Sequence, residues 1–286
     1  MKPVTSPFFP RRRVLAAGLL SLAGAALPGL ATAAAQPLAS PFDTAIDAFL
    51  RDYWRLLPEA AVEAGQYAAA ARLPAPTEAR RQALIRFARD GLARLDGLRQ
   101  GLTLNAGQRG DLALLDNHLR SLLFGLSELR GDQWDPSGYN VAGGFGELLN
   151  KDFAPLPERL RLVERRLQQV PAYYRAALLR LKNPSPEHLR LAIKQNRGAL
   201  ETFRSDIPKA VKGAGLSAAR ARAIERHNAQ ALRAVEGFIA ALQRIETGQQ
   251  GQGRSFRIGR ELFERKFAYE IQASVDAQTL YQRALA

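Results

Sequence analysis

Apolar side chains recur every three or four residues along most of this chain, and no segment alternates apolar with polar residues. One example is the series Leu112, Leu115, Leu119, Leu122 and Leu126. This spacing places side chains on one face of an α-helix, whereas a half-buried strand requires a period of two. The pattern therefore predicts an all-α fold, a multi-helix antiparallel bundle or array with essentially no sheet.

Capping residues and helix breakers divide this pattern into segments. Ser40 followed by Pro41 is typical of a helix N-terminus. The connection 101–105 is short, so the helices on either side of it should form an antiparallel hairpin. Pro171 should bend the helix that contains it, and 248–253 should be a polar linker. The predicted helices span residues 41–57, 58–65, 77–100, 105–130, 158–181, 187–205, 217–247, 258–271 and 274–286.

Residues 134–150, WDPSGYNVAGGFGELLN, interrupt the helical pattern. A proline and the glycines Gly143, Gly144 and Gly146 predict one irregular, glycine-rich loop, and such loops often carry function. Backbone amides near Glu147 are suited to an anion at a helix start, although the Lys-Ser/Thr end of a phosphate-binding loop is missing. Glycines that only permit a tight turn are the alternative.

The first 36 residues have the composition of a targeting signal. Lys2 and the triplet 11–13 of arginines precede an uncharged apolar run over 14–30, and Ala-x-Ala cleavage sites follow within 31–35. The Arg-Arg-Arg-Val-Leu order resembles a twin-arginine export signal, with an ordinary arginine-rich secretory signal or a retained anchor as alternatives. We therefore expect residues 1–36 to be cleaved, and residues 37–286 to be exported, periplasmic or secreted, without a stable membrane span.

The chain contains no cysteine. This excludes disulfides, thiolate metal sites and the lipid anchor of a lipoprotein, which is attached to a cysteine. An exported chain without disulfides must be stabilised by its hydrophobic core, and a chain of this length is long enough to bury one.

The positive charge does not indicate nucleic-acid binding. The 41 basic side chains include four in residues 1–36, which hold no acidic one, so residues 37–286 carry 37 basic against 27 acidic side chains, a net of +10. Arginines alternate with acids at helical spacing, as in Glu158 and Arg161 or Glu201 and Arg204. Such pairs are typical of solvated helix faces. We therefore expect no nucleic-acid partner.

No complete catalytic set is present. The three histidines, His118, His188 and His227, lack the spacing of a His-Glu-x-x-His zinc helix, and there is no Gly-x-Ser-x-Gly nucleophile elbow. We expect His118 to be a partly buried or flanking helix residue, and His188 and His227 to lie on helix surfaces. The sequence accordingly predicts no catalytic residue, no metal ligand and no cofactor within this chain.

Six ordered motifs carry a family resemblance. They are DYWRLLPE at 52–59, GDLALL at 110–115, the segment 134–150, QVPAYY at 169–174, AIKQNRG at 192–198, and FRIGRELF with KFAY over 256–269. In this order and spacing they closely resemble the N-terminal half of a bacterial family called domain of unknown function 885. The resemblance covers residues 42–286.

That family is similar to the helical zinc metallopeptidases of the gluzincin type. Its members are about twice as long as this chain, and their zinc motif, a Glu with a Pro-Gly-His-His segment, lies in the C-terminal half. No residue here matches that motif, so zinc is expected only in the half that this sequence does not contain. The resemblance implies that 37–286 is a helical N-terminal lobe forming one wall of a peptide groove, truncated at its C-terminus and inactive alone.

The expected partners are therefore a peptide substrate or the missing catalytic lobe. Within 134–150, the rings of Trp134, Tyr139 and Phe145 are predicted to hold the peptide, and Asn140 to bond its backbone. Core packing of Trp134 and Phe145 is the alternative. A freestanding periplasmic binding or scaffold protein is the alternative function.

Overall fold

The computed structural model describes residues 40–286; the predicted signal at 1–36 lies outside this range. No strand occurs within 40–286, which confirms the all-α prediction. The helices are α1 Pro41–Leu56, α2 Pro58–Glu63, α3 Glu78–Gly101, α4 Ala106–Phe124, α5 Gly131–Trp134, α6 Ala142–Asn150, α7 Leu156–Leu167, α8 Val170–Arg180, α9 Pro186–Glu201, α10 Ile207–Gly213, α11 Ala218–Gln249, α12 Arg260–Ile271 and α13 Ala277–Leu285. Single π-helical turns, Gly125–Leu129 and Thr202–Asp206, follow α4 and α9.

The first core joins α1 to the α3–α4 hairpin. Its buried side chains are Phe42, Phe49, Tyr53, Ala88, Leu95, Leu112 and Leu119. Gly91 allows the close approach of the two hairpin helices, since a Cβ at this position would lie 2.8 Å from Leu119 Cδ1. The Asn105 side chain forms a reciprocal capping box with Gln108 at the start of α4, as the short connection requires.

The second, larger core surrounds α11. This 32-residue helix packs against α7, α8 and α9. Its buried residues at helical spacing are Ile224, Asn228, Ala231, Val235, Phe238, Ile239 and Leu242. Two buried amides of this core have partners: Asn196 Oδ1 accepts from the Tyr174 hydroxyl at 2.8 Å, and Asn228 Nδ2 donates to the Phe203 carbonyl at 2.7 Å, while Asn228 Oδ1 has none. These bonds offset the cost of removing the amides from water.

Two local predictions differ from the structure. The predicted bent helix over 158–181 is two helices, because α7 ends at Leu167 and Pro171 lies in the first turn of α8. Proline cannot donate a backbone hydrogen bond, and its ring clashes with the preceding turn, so it starts a helix more easily than it continues one. The segment 134–150 is irregular only in its first half, since Gly143, Gly144 and Gly146 lie inside α6.

Candidate functional site

Trp134 anchors the segment that precedes α6. The indole ring is almost completely buried, and its N–H donates to the Leu129 carbonyl at 2.9 Å. One side of the ring meets His188 edge-on, with centroids 5.3 Å apart. The guanidinium carbon of Arg254 lies 4.4 Å from the ring centroid, a distance that allows a cation–π contact. Trp134 therefore connects the α5 turn to α9 and to the segment that joins α11 with α12.

Tyr139 and Phe145 are also buried. The Tyr139 hydroxyl donates to the Asp132 carbonyl at 2.6 Å, and burial raises the pKa of this phenol. The Phe145 ring packs edge-on against Phe203 in the larger core, with centroids 5.4 Å apart. The two rings therefore hold the segment against the protein interior, as in the core-packing alternative.

Asn140 is half-buried and shapes the start of α6. Its Oδ1 accepts from the Ala142 amide at 2.9 Å, which gives an unpaired N–H of the first helical turn a partner. Because Trp134, Tyr139 and Phe145 are buried while Asn140 is committed to the backbone, the four side chains form no open cleft in this structure. Their role in substrate binding stays a prediction.

A buried arginine beside α6 is the main feature that the sequence prediction omits. The Arg166 side chain is 1% exposed. Its Nη2 donates to Glu59 Oε1 at 2.8 Å, and its Nη1 donates to the Ala70 carbonyl at 3.2 Å. Gly144 makes room for this guanidinium, since a Cβ at that position would lie 2.5 Å from Arg166 Nη2. Gly144 is thus explained by packing. The buried face of α7 also contains Arg159 and Glu164, so its sequence does not single out Arg166.

Two other carboxylates act on the charge of Glu63 on α2. Burial raises the pKa of Glu63, and the charges of Glu147 and Glu59 raise it further. Burial and Glu147 likewise raise the pKa of Tyr67. Partial burial and neighbouring negative charge thus disfavour the ionised forms of both groups.

The described part of the chain offers no metal site. Within 40–286, no group of three or more His, Cys, Asp or Glu side chains lies close enough to hold a metal ion. His118 instead contacts the Tyr53 hydroxyl through Nε2 at 2.9 Å, and His227 contacts Glu164 through Nδ1 at 3.2 Å. The residues present therefore do not fit the zinc centre that the family resemblance implies elsewhere in the protein.

A serine, a histidine and an aspartate meet near Trp134. Ser185 Oγ lies 2.6 Å from His188 Nδ1, and His188 Nε2 lies 3.5 Å from Asp135 Oδ2. This order resembles a hydrolase triad, but Ser185 is completely buried and its Oγ accepts the His188 amide as the N-cap of α9. A buried hydroxyl that caps a helix cannot attack a substrate, so the geometry supports a structural role.

The last two helices expose an apolar surface. Neither α12 nor α13 contains a buried residue. We call the exposed apolar side chains of this region the C-terminal apolar face. Its members are Phe256, Phe263, Ile271, Leu280, Tyr281 and Leu285. Several exposed large apolar side chains in one region of the chain are typical of an interaction site.

Polar contacts hold α12 against α4. Arg265 forms an ion pair with Glu128, and its guanidinium lies 4.9 Å from the Phe124 ring centroid. The Asn117 side chain donates to the Tyr269 carbonyl at 3.0 Å. The α12 part of the C-terminal apolar face, Phe263 and Ile271, therefore lies on a helix that is attached to the first core. In residues 40–286, no helix is long and apolar enough to cross a bilayer.

The chain is similar to a solved structure from Shewanella oneidensis that is described as "a putative lipoprotein of unknown function". The two are 38% identical, with a TM-score of 0.80, and the match covers 86% of this chain and 45% of that chain. This chain thus spans less than half the length of that relative. No curated protein matches it.

A family model described as "Bacterial protein of unknown function (DUF885)" matches residues 58–286. This match covers most of the chain and confirms the family that the six ordered motifs indicate. The chain therefore belongs to the bacterial DUF885 family.

Proposed function

We propose that this chain is the N-terminal helical lobe of an exported two-lobed protein of the metallopeptidase type. The observation that carries this proposal is the C-terminal apolar face, which no other part of 40–286 covers. The relative from Shewanella oneidensis matches this chain with the same fold over only 45% of its own length. A lobe that packs against further polypeptide would present such a face.

In this proposal the zinc belongs to the second lobe, because the described residues of this chain do not fit a metal ion. When bound there, zinc would supply the Lewis-acid chemistry of peptide hydrolysis. This chain contributes a rigid helical wall, and the peptide substrate lies between the two lobes. The chain alone is inactive.

Export supports the same proposal. Residues 1–36 have a basic start, an apolar run and small residues at the cleavage position. The relative is described as "a putative lipoprotein". Since this chain has no cysteine to carry a lipid, we propose that it leaves the cytoplasm by a cleaved signal.

The DNA that follows codon 286 provides the first test. We expect it to encode a Pro-Gly-His-His segment, in frame or after a frameshift. Unrelated DNA would overturn the proposal in favour of a freestanding binding or scaffold protein.

The second test measures docking directly. The part of the Shewanella oneidensis relative that this chain does not match is produced separately and mixed with this chain in a calorimeter. We expect one-to-one association that Leu280→Glu abolishes. Leu191→Glu on α9 is the matched control, since Leu191 and Leu280 are 44% and 42% exposed. No association, or equal loss in both variants, would contradict docking through the C-terminal apolar face.

A further inference from the structure

A surface groove runs between α8 and α11 on the larger core. Its volume is about 590 Å³, which is within the range of pockets that bind small ligands. It extends from Pro171 to Leu178 on one wall and from Gln230 to Phe238 on the other. Each wall is therefore about 10 Å long, since seven helical residues rise by that distance. This is roughly the length of three residues of extended peptide.

Two arginines give this groove a positive charge. Arg175 and Arg233 stand on opposite walls, and both are exposed. Neither forms an ion pair or a hydrogen bond with any residue of 40–286, and no acidic residue lines the groove. A smaller groove between α9 and α11 also has basic residues, but an acid, Glu246, lines it and pairs with Arg190 at 3.2 Å. The α8–α11 groove is the larger of these two and has no acidic residue in its lining.

The floor of the groove is apolar. The rings of Tyr174 and Phe238 lie beneath it with centroids 4.6 Å apart. Both rings are almost completely buried, and the Tyr174 hydroxyl donates to Asn196, so what borders the groove from below is ring carbon. Leu178 adds an aliphatic side chain at one end. An apolar group of a ligand would displace water from this floor.

Gly237 keeps the groove open. It lies in the interior of α11, where alanine is the more favourable residue. A Cβ at this position would meet no atom within 4 Å, so internal packing does not require glycine here. Because Gly237 lines the groove, a side chain at this position would project into the ligand space.

We propose that the α8–α11 groove binds a short peptide segment that carries a carboxylate next to an apolar side chain. The carboxylate lies between Arg175 and Arg233, whose guanidinium groups recognise it by paired hydrogen bonds. The apolar side chain lies against the half-buried Leu178, above the buried rings of Tyr174 and Phe238, and the Gln230 amide bonds the peptide backbone. This site goes beyond the proposed function, since it needs neither the second lobe nor zinc.

Fluorescence anisotropy of the full chain with a fluorescein-labelled Ala-Leu-Glu-Leu-Glu peptide tests this proposal. We expect saturable binding that falls at least about tenfold in the Arg175→Glu/Arg233→Glu variant, the loss of about 1.4 kcal/mol. Arg86→Glu/Arg89→Glu on α3 is the matched control, because it makes the same charge change at exposed arginines away from the groove. The control should bind the peptide as the original chain does.

Gly237→Leu separates binding from stability. We expect this variant to unfold at a higher temperature, since leucine favours the helix, and to lose peptide binding because its side chain fills the groove. Equal weakening by the α3 control would show nonspecific charge attraction and overturn the proposal. The proposal is also overturned if Gly237→Leu binds the peptide unchanged, or if the original chain does not bind the peptide at all. A third contrary result is that laurate, added as a competitor of the peptide, binds more tightly than the peptide does. Each result is independent of docking at the C-terminal apolar face.

Discussion

Replacing Gly144 with alanine tests the packing of the buried arginine against α6. The new Cβ would lie 2.5 Å from Arg166 Nη2 and 2.8 Å from Cζ, distances that real Cβ atoms do not show. The guanidinium must therefore move. It is 1% exposed and held by Glu59 and the Ala70 carbonyl, so movement breaks hydrogen bonds that water cannot replace.

The two opposing effects can be weighed. Alanine is better than glycine inside a helix by about 1 kcal/mol. Each hydrogen bond of a charged group contributes about 1.5–3 kcal/mol, and the bond to Glu59 lies toward the lower value because that carboxylate is 41% exposed. Loss of both bonds outweighs the helix gain, which leaves a net destabilisation of about 2 kcal/mol. In a chain of this length, that lowers the melting temperature by about 4–8 °C.

Urea unfolding of Gly144→Ala and Gly143→Ala provides the measurement. Gly143 is the neighbouring residue of α6, and a Cβ there meets no atom within 4 Å, so Gly143→Ala should gain about 0.5–1 kcal/mol. Adding Arg166→Met to Gly144→Ala removes the charged group that is displaced and should recover part of the loss. Equal stability of the two alanine variants would refute the assignment of Gly144 to the packing of Arg166.

Three further substitutions test other contacts. Burial lowers the pKa of His118, so protonation of this residue favours the unfolded chain. The free energy of unfolding should therefore fall as the pH drops through 6.5. Urea titrations of the original chain and of His118→Gln at several pH values should show that the variant lacks this part of the pH dependence. Glu128→Ala removes the ion pair with Arg265 and should raise the rate of amide hydrogen exchange in α12, while the rate in α11 stays unchanged. The same exchange rate in α12 of the variant and of the original chain would contradict the attachment of α12 through this ion pair. Ser185→Ala removes the N-cap of α9 and should lower the free energy of unfolding by about 1 kcal/mol. A fluorophosphonate, which labels nucleophilic serines, should label neither the original chain nor the variant. Labelling of Ser185 would contradict its structural role.

The helix starts were predictable because their signals are local. The side chains of Ser40, Thr77, Asn105 and Ser217 each accept a backbone amide three residues later, as their positions before apolar stripes predict. A cap depends on residues within one helical turn, and the order of residues along the chain contains that information directly.

The prediction of a loop over the second half of 134–150 was wrong, because tertiary packing there opposes the local helix propensity. Three glycines each disfavour a helix by up to about 1 kcal/mol. Phe145 and Leu148 are completely buried on one face of α6, and each large apolar side chain contributes about 1.5–3 kcal/mol when buried. The buried face therefore outweighs the glycines, and no pattern of neighbouring residues shows which core will receive it.

The order of the residues alone determined the all-α class, the family, the absence of thiol chemistry and the positions of most helices. Each of these depends on composition, on ordered motifs or on contacts within three or four residues. Only the tertiary structure decided that Arg166 is buried against Gly144 and paired with Glu59, 107 residues away in the chain. It likewise decided that Arg175 and Arg233 share a groove. Burial and charge depend on which distant helices pack together, and local periodicity does not specify that pairing.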